Sequence, residues 1–392
     1  MVERVDTAER DRSESGQVLN PTRHRGTLMN RRVFVRGVGG GAVAGLAGLA
    51  GCLTRNGETD DPAVDEGPLR VVTYSSMATG PTPAGEWLRE TVADEFSEEV
   101  EWHVPESGID QYIRRAQLGA DVGADVVLGL TAAELALVDA ALDDETRLFA
   151  SLDRSRLDYA DRVRDALEFA EPRDRALPVD TGYITLVYDA IELERPPETF
   201  DDLLAGRFRD ALLAQDPRTS DPGRAFLLWT VAEFGSDFTA YWRDLRDNGV
   251  RLCEHWTEAY RDSYLDGDRP LVVSYSTDRV AASAADRDLR RHRIAPLNGA
   301  GYRQTEGVAL FAEAARTDLA YEFVDLLLSS AAQAELATRN VQFPAVEPEF
   351  VDLDDRFPRY AREPPETVTL GYDDLRGELD GWLGEWANEF PE

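Results

Sequence analysis

Short β-branched runs alternate with helical patterns along this chain, and that alternation narrows its fold more than any other feature. Leu69-Arg70-Val71-Val72-Thr73-Tyr74 reads as a strand ending in Ser75-Ser76, and Trp87, Leu88, Val92 and Phe96 then follow at helical spacing. A strand over 100–104, a turn at Glu106-Ser107-Gly108, a helix over 109–118, a strand over 125–130 and a helix over 132–142 continue the series. Strands and helices in strict alternation, joined by short loops carrying Ser, Gly and Asp, predict an α/β fold with a parallel sheet. Such sheets bind ligands at the carboxyl ends of their strands, where Tyr74-Ser75, Ser107-Gly108 and Gly129-Leu130 all fall.

Around Ala176-Leu177-Pro178-Val179-Asp180-Thr181-Gly182-Tyr183 the chain leaves this unit and begins a second, with strands expected over 184–188, 250–253 and 271–275. A long apolar helix through Phe226, Leu227, Leu228, Trp229 and Phe234 belongs to it, with Trp229 on the core face. The chain returns through Arg293-Ile294-Ala295 and Gly307-Val308-Ala309-Leu310-Phe311, and a tail helix carries Leu375, Leu379, Trp382, Leu383 and Trp386. The expected division is therefore one lobe from 69–178 plus 279–392, a second from 179–278, and a cleft with a hinge between them.

The 68 residues ahead of the fold carry an address. Asn30-Arg31-Arg32-Val33-Phe34-Val35-Arg36, a glycine-rich apolar run and Leu49-Ala50-Gly51-Cys52 read as a twin-arginine export signal ending in a lipoprotein cleavage site. The apolar part, about 14 residues, is shorter than the roughly 17 to 25 needed to span a bilayer. Residues 1–52 are thus a leader, started at Met1 or Met29, and Cys52 is the expected lipid attachment point. The polar stretch 53–68 is a flexible acidic tether. The protein is expected on the outer face of the cell membrane, lipid-anchored and monomeric.

Formal net charge is −33, and all 42 basic residues are arginine. With 43% apolar residues in regular patterns, this acidity reads as a hydrated surface suited to concentrated salt, not as disorder. It also excludes nucleic acid as a partner, because no basic stripe exists to displace counterions. Once Cys52 is lipidated, Cys253 remains alone in an apolar run and is expected to be a buried thiol.

Enzyme signatures are missing: there is no Gly-x-Ser-x-Gly, His-Glu-x-x-His, Walker loop or Gly-x-Gly-x-x-Gly after a strand. His24, His103, His255 and His292 lack metal-ligand spacing, so neither a metal nor a cofactor is expected. What remains at the predicted strand ends is aromatic and hydroxylic: Tyr74, Trp256, Tyr260 and Tyr275 with Ser75, Ser76, Ser107, Ser220, Ser276 and Thr277. Aromatic faces suit planar and cationic ligands, and hydroxyls with helix N-terminal amides suit an alcohol, a phosphate or an aminopyrimidine.

An ordered series carries a family resemblance: Asp125-Val126-Val127-Leu128-Gly129-Leu130, Asp180-Thr181-Gly182-Tyr183, Gln215-Asp216-Pro217-Arg218-Thr219-Ser220-Asp221-Pro222-Gly223, Leu227-Leu228-Trp229, Trp256-Thr257-Glu258-Ala259-Tyr260 and Ser274-Tyr275-Ser276-Thr277. From residue 69 to the C-terminus the chain resembles the thiamine-binding subunit of bacterial thiamine ABC importers. The resemblance implies the two-lobed type II periplasmic-binding-protein fold and a central ligand cleft. It also implies thiamine, a thiamine phosphate or a precursor as ligand, and a membrane permease with its ATPase as partners. Ligand-contacting positions carried over by it are Ser107, Gly108, Ser220, Asp221, Trp256, Tyr275, Ser276, Thr277 and Asp278, with Tyr74 lining the cleft. Asp221 or Asp278 would balance the ring's positive charge.

Departures from the family pattern are Ser107 and Thr131 where acidic residues are usual, Ala281 for a tyrosine, and Val341 for a tryptophan, with Phe343 as a possible replacement ring. Ferric iron in the same fold is the alternative ligand, opposed by the lack of an adjacent tyrosine pair. A secreted hydrolase is the alternative class, opposed by the lack of a nucleophile and base pair.

Overall fold

The computed structural model describes residues 67–78, 83–96, 99–143 and 145–390. The expected export signal, Cys52 and nearly all of the expected tether lie outside the described residues. Among the described residues, eleven strands form one sheet. They are β1 Leu69–Val72, β2 Val100–His103, β3 Val126–Leu130, β4 Ala176–Tyr188, β5 Leu212–Gln215, β6 Arg251–Cys253, β7 Leu271–Tyr275, β8 Arg293–Ala295, β9 Ala300–Leu310, β10 Phe343–Pro344 and β11 Glu366–Val368. Their order is β2-β1-β3-β9-β4-β7-β5-β6, with β8 and β10 also on β4, and β11 on β9.

The expected parallel pairing holds in each half: β1 lies parallel to β2 and β3, and β5 to β6 and β7. The sheet as a whole is mixed, because β4 and β9 are long antiparallel partners that serve both halves. β4 runs 13 residues without a break, through the stretch read from sequence as a crossover. Twelve of its residues are buried, so covering on both faces overrides the alternation that marks a half-exposed strand.

Apolar packing follows the two halves. Leu69, Val71, Leu88, Val126, Phe323 and Leu327 belong to one core. Phe226, Trp229, Trp242, Leu271 and Val273 belong to another, with Trp229 only 1% exposed, as its place on the helix predicts. The free Cys253 is buried, also as expected. The terminal helix Leu379–Glu389 packs with the second core: Trp386 stands edge-on to Trp242 at 5.6 Å, and Arg243 pairs with Glu389 at 2.5 Å.

Helix Ala132–Ala141 opens with a reciprocal cap, in which the Thr131 Oγ1 accepts from the Glu134 amide at 3.3 Å and Glu134 Oε2 accepts from the Thr131 amide at 2.9 Å. Replacing Thr131 by valine should cost about 1 kcal/mol of stability, read as a lower urea midpoint at unchanged slope.

Candidate ligand site

Asp180 on β4 and Glu306 on β9 are cross-strand partners, so the two carboxylates share one face of the sheet. Like charges placed directly opposite are unfavourable, and these stand between two rings. Tyr74, just past β1, reaches the site because Gly129 has no side chain: a Cβ there would lie 2.7 Å from the Tyr74 ring and 3.8 Å from Glu306 Oε2. Gly129 also has φ +98°, a conformation that favours glycine. Tyr275, at the end of β7, fits over Gly182, where a Cβ would lie 2.9 Å from its ring and 2.2 Å from Gln342 Oε1. Asn340 ties the cluster together by donating to the Tyr74 hydroxyl at 2.9 Å and to Asp180 Oδ2 at 3.1 Å. Between Asn340 and Gln342, Val341 takes φ +59°, a costly conformation for a β-branched residue, and this holds both amides toward the site.

Two helix N-termini complete the group. Glu134 comes from one, and Asp221, held by Arg224 Nη1 at 2.8 Å, from the other. Burial pushes Asp180 up to about 7, against a hydrogen bond from Asn340. Burial, then the charge of Asp221, pushes Glu134 to about 7. Burial, then Asp180 and Asp221, drives Glu306 well above the usual carboxylate range. The Tyr74 and Tyr275 hydroxyls are also driven up by burial and next by Glu306. Asp180 Oδ1 is buried with no hydrogen-bond partner among the described residues. Such a group is short of positive charge, and an organic cation with a flat face would supply it.

Of the residues expected from sequence, the structure brings Tyr74, Asp221 and Tyr275 into this cluster. Trp256 is joined to it through β7: its Nε1 donates to Ser274 Oγ at 3.0 Å, and its ring stacks on Tyr260 at 4.7 Å. Ser220 is the N-cap residue of helix Asp221–Phe234. Ser276 and Thr277 are buried beyond Tyr275, with hydroxyls that have no hydrogen-bond partner among the described residues. Asp278 stands apart, paired with His292 Nδ1 at 2.7 Å, both side chains 3% exposed. Phe343 packs edge-on to Tyr183 at 5.6 Å and to Phe357 at 5.5 Å, in an apolar cluster. Ser107 and Gly108 are exposed in the turn before helix Asp110–Gln117.

Sequence reasoning passed over Asp180, Glu306, Glu134, Asn340 and Gln342 as site residues. A signal existed for one of them, since Asp180 interrupts a largely apolar strand run. Among the described residues, no group of three or more His, Cys, Asp or Glu is arranged to hold a metal ion.

Two α/β halves on long shared strands, with an acidic and aromatic cluster drawn from both, define a periplasmic binding protein of the two-lobed type II fold. The model of the bacterial extracellular solute-binding protein family matches residues 136–362. The chain belongs to that family, whose members bind solutes and are not enzymes. It is 30% identical over 320 residues to the thiamine-binding periplasmic protein of Escherichia coli, covering 81% of this chain and 92% of that protein. A solved periplasmic thiamin binding protein superposes with TM-score 0.70 at 28% identity, covering 83% and 96% of the two chains. An apo ferric ion-binding protein from Pasteurella haemolytica shares the fold at TM-score 0.65 and 13% identity, covering 83% and 99%.

Proposed function

We propose that this chain is the extracytoplasmic solute-binding lipoprotein of an ABC importer, that it holds thiamine or a close thiamine derivative between its lobes, and that it hands the ligand to a membrane permease. The observation that carries the reading is the facing pair Asp180 and Glu306 flanked by Tyr74 and Tyr275. A thiazolium is a flat, permanent cation, and it would relieve the like-charge pair while stacking on the rings. The thiamine-binding relatives support the same ligand.

In this reading Tyr74, Tyr275 and Trp256 offer ring faces, and Asp180, Glu306 and Asp221 balance charge. Ser220, Ser276 and Thr277 serve the polar groups of the ligand, and Ser107-Gly108 meets it from the first lobe on closure. Phe343 lies beside β4 on β10, and its ring packs on Tyr183 and Phe357. Asp278 holds His292 and contributes through packing. Closure is a population shift limited by the ligand's preference for the closed state.

Calorimetric titration of the purified protein in concentrated salt should give one-to-one binding of thiamine, and silence with thiamine and its derivatives would overturn the assignment. Anchoring rests on Cys52. A Cys52→Ser protein should move from the membrane fraction to the medium, as judged by fractionation; retention in the membrane would mean that the apolar run 37–51 is not removed.

A further inference from the structure

Resting on the thiamine reading, we infer that this site takes the unphosphorylated alcohol and turns away its phosphate esters, and that Asp221 enforces the choice. Helix N-termini ordinarily attract anions, and two of them, those of helices Ala132–Ala141 and Asp221–Phe234, feed this cluster. Each already carries a carboxylate of the chain itself in its first turn. Glu134 Oε2 accepts the Thr131 amide at 2.9 Å and its hydroxyl at 3.1 Å. Asp221 occupies the first turn of the other helix, where Pro222 removes one of the free amides and the Ser220 hydroxyl makes no cap.

Charge balance decides the rest. The hydroxyethyl arm of thiamine is two carbons long and leaves the same ring that carries the cation. A phosphate on that arm therefore lies only a few ångströms from whatever neutralises the ring. Here that environment holds Glu134, Asp180, Asp221 and Glu306, with the guanidiniums of Arg224 and Arg303 in the lining of the adjoining cavity. Arg224 already donates Nη1 to Asp221 and keeps one buried Nε without a partner. Two guanidiniums, one of them already paired with Asp221, do not offset four acidic groups brought against a phosphate's two negative charges.

The test compares thiamine, thiamine monophosphate and thiamine diphosphate by calorimetry on the purified full chain, in about 1 M salt, where the Debye length of roughly 3 Å removes the long-range effect of the acidic surface. Affinity should fall in that order, with a gap of about 100-fold between the first and the last. In Asp221→Asn, thiamine should bind several-fold more weakly and the diphosphate several-fold more tightly. Glu134→Gln should narrow the gap in the same sense, which guards against a loss of folding in the first variant. Equal affinity for all three, or a shift of both ligands in one direction on Asp221→Asn, overturns the inference while leaving the thiamine reading intact. A protein that binds none of the three overturns both.

Discussion

Replacing Glu306 by glutamine should weaken thiamine binding by about 30-fold near pH 8, roughly 2 kcal/mol, while making the ligand-free protein more stable at that pH. The loss follows from removing one negative charge within a few ångströms of a bound cation at an effective dielectric of about 20. The gain follows because Glu306 faces Asp180 across the β9–β4 pair and is buried beside Tyr74 and Tyr275. An ionised carboxylate there costs free energy that a neutral amide of the same shape does not. Calorimetry measures the first effect and thermal unfolding at pH 8 and pH 5 the second, with the stabilisation shrinking at the lower pH. A variant with unchanged affinity would place the cation elsewhere. Lowered stability at both pH values would mean that Glu306 is structural and its charge is not held in reserve for a ligand.

Acidity should govern both stability and binding between about pH 4 and pH 7. In the folded, ligand-free chain burial raises Asp180 and Glu134 from ordinary carboxylate values to about 7, and burial with Asp180 and Asp221 holds Glu306 well above its ordinary range. The unfolded chain releases these protons near pH 4, so across this window the native state binds more protons than the unfolded one. Their contribution to stability therefore falls as pH rises and is at its lowest above pH 7. A bound cation acts in the opposite sense: it favours the ionised forms, lowers these values and expels protons. Thiamine affinity should accordingly rise with pH, by roughly 100-fold between pH 5 and pH 7.5 if a single carboxyl is fully coupled. Buffers of different ionisation enthalpy should reveal the released protons as a change in apparent binding heat. Asp221, Arg224 and Asn340 face the same groups. Asp221→Asn is therefore expected to flatten this profile as well, by removing the charge that helps raise Glu134 and Glu306. A flat pH profile for the native protein would exclude the acidic cluster from the binding site.

Local pattern made several features legible. β1, β2 and β3 were readable because each is a short β-branched run followed by turn residues and a helix. Trp229 was assignable to the core from its place on an apolar helix face, and it is buried. Tyr74 and Tyr275 were reachable because ligands of α/β sheets gather where strands end and helices begin, whereas Asp221 came only from the family resemblance. β4 was harder: Pro178, Asp180 and Gly182 look like a loop, and only pairing with β9 on one side and β10 on the other makes this stretch strand. Asp278 shows the opposite problem. It sits just past Tyr275 and invites a role in the cleft, yet it points to His292, a residue 14 positions away that sequence alone does not bring near.

By itself, then, the sequence determined the α/β class, the parallel pairing within each half and the aromatic residues at the strand ends, because strand and helix periodicity and turn chemistry are local properties. Tertiary structure alone decided which carboxylates meet. Asp180 and Glu306 are 126 positions apart and become neighbours through the antiparallel register of β4 and β9. It also decided that the terminal helix joins the second core through Trp386 and Trp242, since any apolar helix face will pack on whichever exposed core the chain can reach. The acidic character of the pocket is a property of that register, and so are its expected preference for a cation and its response to pH.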